Sequence, residues 1–196
     1  MTKSPNPALS LIDSHFTEHA RVVADLAPLS ATLAEAGSLC ARALGDGRRI
    51  FLCGNGGSAS DAQHIAAELV GRFVADRRAL PALALTTDTS ALTAIANDYG
   101  YDHVFARQLE GLGAAGDILV AISTSGHSAN VNLAAQRARD MGISVIGFSG
   151  KDGGKLVELA DLSLVVPSQT TARIQECHIL MGHLLCALIE QELELA

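Results

Sequence analysis

Residues able to do chemistry are concentrated in three stretches of this chain. In the first, Gly54-Asn55-Gly56-Gly57-Ser58 is followed by His64 and Glu68. A histidine and a glutamate four residues apart project from one helix face, a candidate metal-binding or acid–base pair. It would sit about two turns beyond the glycine turn. Glycines 54, 56 and 57 permit backbone conformations closed to other residues and let a ligand approach the main chain. Ser58 with Asp61, or Ser60 with Gln63, has the spacing of a capping box and predicts a helix start there. Free N–H groups at that start favour an anion or an oxygen-rich ligand. The second stretch is Ser123-Thr124-Ser125-Gly126-His127-Ser128. Clustered hydroxyls between a strand end and a helix N-terminus form a cradle for phosphate. Lysine and arginine are absent from it, so neutral donors would carry the phosphate, with His127 as an auxiliary. The ending of a Walker loop is missing.

The third stretch, Arg173-Ile174-Gln175-Glu176-Cys177-His178-Ile179-Leu180-Met181-Gly182-His183, sets Gln175 and His183 in a largely apolar helix. A lone histidine there is equally at home in a core. Joined to His64 and Glu68, however, two imidazoles, a carboxylate and an amide oxygen suit Zn²⁺ or a similar divalent ion. Gln175 and His183 are about 12 Å apart along an unbroken helix. Both reach one ion only by leaning inward; otherwise one ligand comes from a neighbouring subunit. Asn97 and Asp98, like Thr86-Thr87-Asp88-Thr89, either hydrogen-bond sugar hydroxyls or cap helices. His15 and His19 also share a helix face, best read as solvated or interfacial.

These groups need a scaffold. Short apolar runs at residues 49–53, 82–85, 117–122, 144–148 and 162–166 read as buried parallel strands. Helical periodicity fills 61–73, 101–112 and 129–141, and Gly142 follows as a helix stop. The alternation predicts an α/β fold, a doubly wound five-stranded parallel sheet with helices on both faces. Ligands collect at the carboxyl ends of such strands, so the loops after Cys53, Leu85, Ile122 and Phe148 are the informative ones. Ahead of the sheet, residues 8–44 predict two helices broken near Pro28, with Leu9, Ile12, Phe16, Val22, Val23 and Leu26 on one apolar face. A long helix over 171–193 closes the chain.

The 196 residues fit one domain, with N-terminal helices over 1–46 and an α/β core with the C-terminal helix over 47–196. A formal net charge of −7 argues against nucleic acid or an acidic membrane surface as partner. No apolar run approaches the ~20 residues of a membrane helix. The start, Met1-Thr2-Lys3-Ser4-Pro5-Asn6-Pro7, lacks the basic and apolar regions of a signal peptide. Cys40, Cys53, Cys177 and Cys186 show no CxxC spacing and lie in apolar surroundings, as buried thiols in a reducing cytoplasm would.

Taken together, the glycine turn, His64 with Glu68, the hydroxyl loop, and Arg173-Ile174-Gln175-Glu176 with His183 resemble the sugar isomerase (SIS) domain family. Within it they are similar to the phosphoheptose isomerases. The likeness spans nearly the whole chain and keeps the motif order. It implies a flavodoxin-like α/β/α sandwich and a cytoplasmic homotetramer with active sites between subunits. It implies substrate contacts from Asn55, Gly56, Gly57, Glu68, Asn97, Asp98, Ser123, Thr124, Ser125, Ser128 and Gln175. It implies one zinc per subunit on His64, Glu68, Gln175 and His183. The reaction implied converts sedoheptulose 7-phosphate to D-glycero-D-manno-heptose 7-phosphate, on the way to activated heptose for the cell envelope, lipopolysaccharide included. Ketose–aldose chemistry needs a base and an acid, roles that fall to Glu68 and His183.

Two rivals differ in class. A regulator that associates with the DnaA replication initiator resembles this family closely, but that branch lacks counterparts of Glu68 and His183. A nucleotide oxidoreductase would use Gly54-Asn55-Gly56-Gly57-Ser58-Ala59 as its GxGxxA turn. It would leave His64, Glu68 and the hydroxyl loop without a role.

Overall fold

The computed structural model describes residues 6–195. Residues 1–5, most of the opening segment read above against a signal peptide, lie outside the described residues, as does Ala196. Helices α1 (Pro7–Ala24) and α2 (Ser30–Gly45) come first, joined through a short 3-10 turn at Ala27–Leu29. Five strands follow: β1 (Ile50–Gly54), β2 (Ala82–Ala84), β3 (Ile118–Ile122), β4 (Ser144–Gly150) and β5 (Leu162–Val166). Between and after them lie α3 (Gly57–Val70), α4 (Thr89–Tyr99), α5 (Val104–Leu112), α6 (Ala129–Asp140), α7 (Leu156–Leu159) and α8 (Thr171–Glu192).

All strand pairs are parallel, in the order β2-β1-β3-β4-β5. This is the flavodoxin-like order, and it reverses between β1 and β3. Buried alternation along each strand divides the core. Ile50, Leu52, Ile118, Val120, Ile146 and Phe148 face α2, α3 and α8, while Phe51, Cys53, Leu119, Ala121 and Val145 face α5, α6 and α7. Each valine, leucine, isoleucine or phenylalanine among them, fully buried, contributes about 1.5–3 kcal/mol. With both faces covered the strands read as apolar runs, and for that reason the expected strand positions hold.

The helices depart from expectation in three places. Asn97 and Asp98 lie near the end of α4, a helix not expected from the sequence, which rests on the core through the partly buried Leu92, Ile95 and Ala96. Helix α3 starts at Gly57 without a capping box: its N-cap is Gly56 at φ 57°, and no side chain caps it. Backbone bonds close that turn instead, Ser58 N–H to Asn55 C=O and Ala59 N–H to Gly56 C=O, both 3.0 Å. The helix also stops at Val70, short of Phe73. On α1, Val22 is buried and Val23 and Leu26 pack beside it, but Leu9, Ile12 and Phe16 stay exposed. The helix is tied to α8 instead by polar contacts, His19 Nδ1 to Glu176 Oε2 at 2.7 Å and Arg173 to the His15 carbonyl at 2.7 Å.

Candidate active site

The reversal between β1 and β3 brings two loops side by side, one entering α3 and one entering α6. Gly54 of β1 pairs with Ile122 of β3, so both loops leave the sheet at one level. A reciprocal amide pair bridges them: Asn55 Nδ2 donates to Asn130 Oδ1 and Asn130 Nδ2 to Asn55 Oδ1, each at 2.8 Å. The Tyr101 hydroxyl donates to Asn55 Oδ1 at 3.1 Å, linking the segment after Asn97 and Asp98 to the glycine turn. Asn97 and Asp98 are exposed and bonded to each other at 2.8 Å. Asn130 and Tyr101 were not singled out in the sequence, because a partner 75 residues away leaves no local signal.

In the hydroxyl loop, Ser123 is buried and its Oγ lies 2.9 Å from Ser128 Oγ. Thr124, Ser125 and Ser128 are half-buried. Ser128 is the N-cap residue of α6, yet its side chain makes no capping bond, so the helix start keeps N–H groups for an anion. Gly126 makes the loop possible. Its φ is +67°, and a Cβ there would lie 1.9 Å from the Gly153 carbonyl oxygen. The loop after β4 thus walls the cradle. His127 is turned outward, with Nε2 3.9 Å from Asp152 and the side chain largely exposed. It borders a cleft of about 510 Å³ on the outer side of α6, together with His103 and Lys155; the His64 cluster is not part of that lining.

Helices α3 and α8 run side by side. Gly182 is the reason they come so close: a Cβ there would meet Ile65 at 2.5 Å. This contact sets His183 against His64, Nε2 to Nε2 at 3.0 Å, and Glu68 Oε1 lies 3.2 Å from His64 Nε2. One ligand atom from each of His64, Glu68 and His183 falls within 4.8 Å of the others. Tetrahedral zinc bonds of about 2.0–2.1 Å put ligand atoms about 3.3 Å apart, so both close separations suit a shared divalent ion. Two imidazole nitrogens facing each other also make the geometry one that a cation completes. Three of the four expected ligands therefore meet. The fourth, Gln175, has its amide on the glycine turn, where a Cβ on Gly57 would lie 1.6 Å from Nε2. Gly57 precedes His64 by about 10 Å of helix. Asp61 lies between them on α3, buried, with Oδ2 lacking a hydrogen-bond partner among the described residues. Burial pushes its pKa up to about 6, against the lowering influence of His64.

Comparison with known proteins places the chain in a family. Residues 15–150 match the SIS domain family model. A phosphoheptose isomerase of Aliarcobacter butzleri is 54% identical over 185 residues, 94% of this chain and 98% of that protein. The chain belongs to the SIS domain family, among its phosphoheptose isomerases. Two solved phosphoheptose isomerases share the family fold at full length. The Neisseria gonorrhoeae structure has 47% identity and a TM-score of 0.89, covering 94% of this chain and 99% of that one. The Francisella tularensis structure has 37% identity and a TM-score of 0.91, covering 95% and 100%. Among the described residues of this phosphoheptose isomerase family member, no helix is long and apolar enough to cross a membrane.

Proposed function

We propose that the chain is a ketose–aldose isomerase converting sedoheptulose 7-phosphate to D-glycero-D-manno-heptose 7-phosphate, acting as one SIS domain over residues 1–196. The observation that carries this reading is the gathering of His64, Glu68 and His183, in a chain half identical to proteins named phosphoheptose isomerase. One zinc ion per subunit on these three, with Gln175 as fourth ligand or as substrate contact, would polarise the substrate carbonyl and stabilise developing negative charge.

The remaining work falls to the chain itself. Ser123, Thr124, Ser125, Ser128 and the start of α6 anchor the phosphate, so binding energy at the remote end orients the reacting carbons. Asn55, Gly56, Gly57, Asn97 and Asp98 meet sugar hydroxyls. Glu68 takes the proton from C1; the C–H electrons form the C1–C2 double bond, and O2 receives a proton from His183. Returning the first proton to C2, with loss of the O1 proton to His183, closes the aldehyde.

Exposed Leu9, Leu11, Ile12 and Phe16 on α1 support assembly, and a cytoplasmic homotetramer supplying heptose for lipopolysaccharide is part of the reading. The test is Glu68→Gln in metal-loaded protein, followed by mass spectrometry of derivatised aldoheptose 7-phosphate. Turnover should fall about a hundredfold or more. Near-normal turnover would remove Glu68 as the base. Absence of product from folded, metal-loaded wild type would defeat the isomerase reading itself.

A further inference from the structure

We propose that Phe73, held in place by the buried Arg77–Glu190 ion pair, is a positioning residue that fixes the His183 imidazole within the His64–Glu68–His183 cluster. The inference rests on the metal-dependent isomerase reading above. A ligating histidine is ordinarily oriented by a hydrogen bond at its second ring nitrogen. His183 Nε2 faces His64, and among the described residues no hydrogen bond reaches its Nδ1. What flanks the ring instead is Phe73, stacked at 5.6 Å between centroids and 26° between planes. His64 meets the same ring tilted, at 5.0 Å and 55°.

Phe73 lies between α3 and β2, outside any helix or strand, so something else must hold it. Glu190 of α8 does so. Its carboxylate accepts the backbone N–H groups of Phe73, Val74 and Ala75, each at 3.2 Å, and Arg77 Nε at 2.9 Å. The two charged side chains are 1% and 2% exposed. Burial alone would raise the Glu190 pKa, but the three N–H donors and Arg77 outweigh it and hold the group below the usual carboxylate range. The rest of the Arg77 guanidinium donates to the carbonyls of Leu69 at 2.8 Å, Glu68 at 2.9 Å and Arg78 at 3.1 Å. One buried ion pair therefore grips both the helix turn that carries Glu68 and the loop that carries Phe73. Capping the end of α3 would require only the carbonyl contacts. Pinning three consecutive loop N–H groups serves to set the aromatic ring against His183.

The test titrates metal-free protein with Co²⁺ and reads the visible ligand-field spectrum, the dissociation constant, kcat and KM. The variants are His64→Ala, Phe73→Leu, Phe73→Tyr and Glu190→Gln. Phe73→Leu keeps apolar bulk but removes the ring. It should weaken cobalt binding about 10- to 100-fold, shift the spectrum and lower kcat, with KM for the phosphosugar little changed. Phe73→Tyr should restore all of these. A folded Phe73→Leu protein with wild-type affinity, spectrum and kcat overturns the proposal, as does failure of the tyrosine variant to rescue. Should Glu190→Gln not fold, the Phe73 pair still decides. Wild type that binds cobalt no better than His64→Ala overturns the metal reading and this proposal together. Wild type that binds, with Phe73→Leu unaltered, overturns this proposal alone.

Discussion

His64, Glu68 and His183 come from two helices and are backed by a buried charge pair, whereas residues 123–128 form one unbroken loop shaped by backbone packed on backbone. The first region sets partly exposed imidazoles and a carboxylate in front of a buried ion pair, and depends on electrostatics. In the Arg77–Glu190 pair each charge answers the other, so removing one partner leaves the other stranded. The second carries no formal charge and depends on one residue having no side chain. On the proposed function, a metal cluster and a phosphate anchor built in these two ways can be damaged independently. Substitutions should separate them, in binding as well as in stability.

The largest effect is expected at the charge pair. Arg77→Ala strands the buried Glu190 carboxylate and should cost about 3–5 kcal/mol in urea unfolding. The exposed Arg107–Glu110 pair, at 3.4 Å, offers the contrast, since Arg107→Ala should cost under about 1 kcal/mol. Equal costs for the two would break the comparison.

Next is the joint between the regions. His178 on α8 is fully buried, and its Nε2 lies 3.0 Å from the carbonyl of Ser149 on β4, the strand leading to the wall of the cradle. Burial lowers its pKa to about 4, with the Ser149 bond opposing. Above about pH 6.5 neither folded nor unfolded chain holds the proton. As pH falls from there towards 4, the unfolded chain binds a proton that the folded one refuses, and stability drops by about 3 kcal/mol. Unfolding measured at pH 7 and pH 4.5 should show this loss, and His178→Gln should reduce it. An unchanged pH dependence in that variant would remove His178 as its source.

Gly126→Ala should destabilise by about 2 kcal/mol or more, since φ is positive and the new methyl would strike the Gly153 carbonyl. Its KM for phosphosugar should rise while zinc affinity stays at the wild-type level; a matching loss of zinc would show that the regions are not separable. The smallest effect concerns the thiols. Burial pushes Cys40, Cys53 and Cys186 up to about 12, so native protein at pH 8 should resist alkylation that proceeds readily in urea. Rapid native labelling of Cys53, just before the glycine turn, would mean that turn opens.

The sequence reveals these regions unequally, and for a physical reason. The hydroxyl loop and the glycine turn are contiguous, so composition at a strand end exposes them. His64 and Glu68 are visible through helical spacing, and His183 only by association with them. Gln175 was expected at the ion and at the substrate, with its separation from His183 of about 12 Å along the helix as the difficulty; its amide sits against Gly57, where α3 and α8 run parallel. The strands were legible because both sheet faces are covered; α4 was not, because it is short and only partly buried, through Leu92, Ile95 and Ala96. Phe73, Arg77 and Glu190 left no trace in the sequence. The salt bridge spans 113 residues, too far apart for any local spacing to relate them.

The most direct measurement strips the protein with a chelator, adds back zinc in steps, and follows both bound metal and conversion of sedoheptulose 7-phosphate, with His64→Ala in parallel. The account predicts turnover that rises with zinc to a plateau at one ion per chain, and a folded His64→Ala variant that neither holds the ion nor turns over. Full turnover in stripped protein, or in the variant, would contradict it.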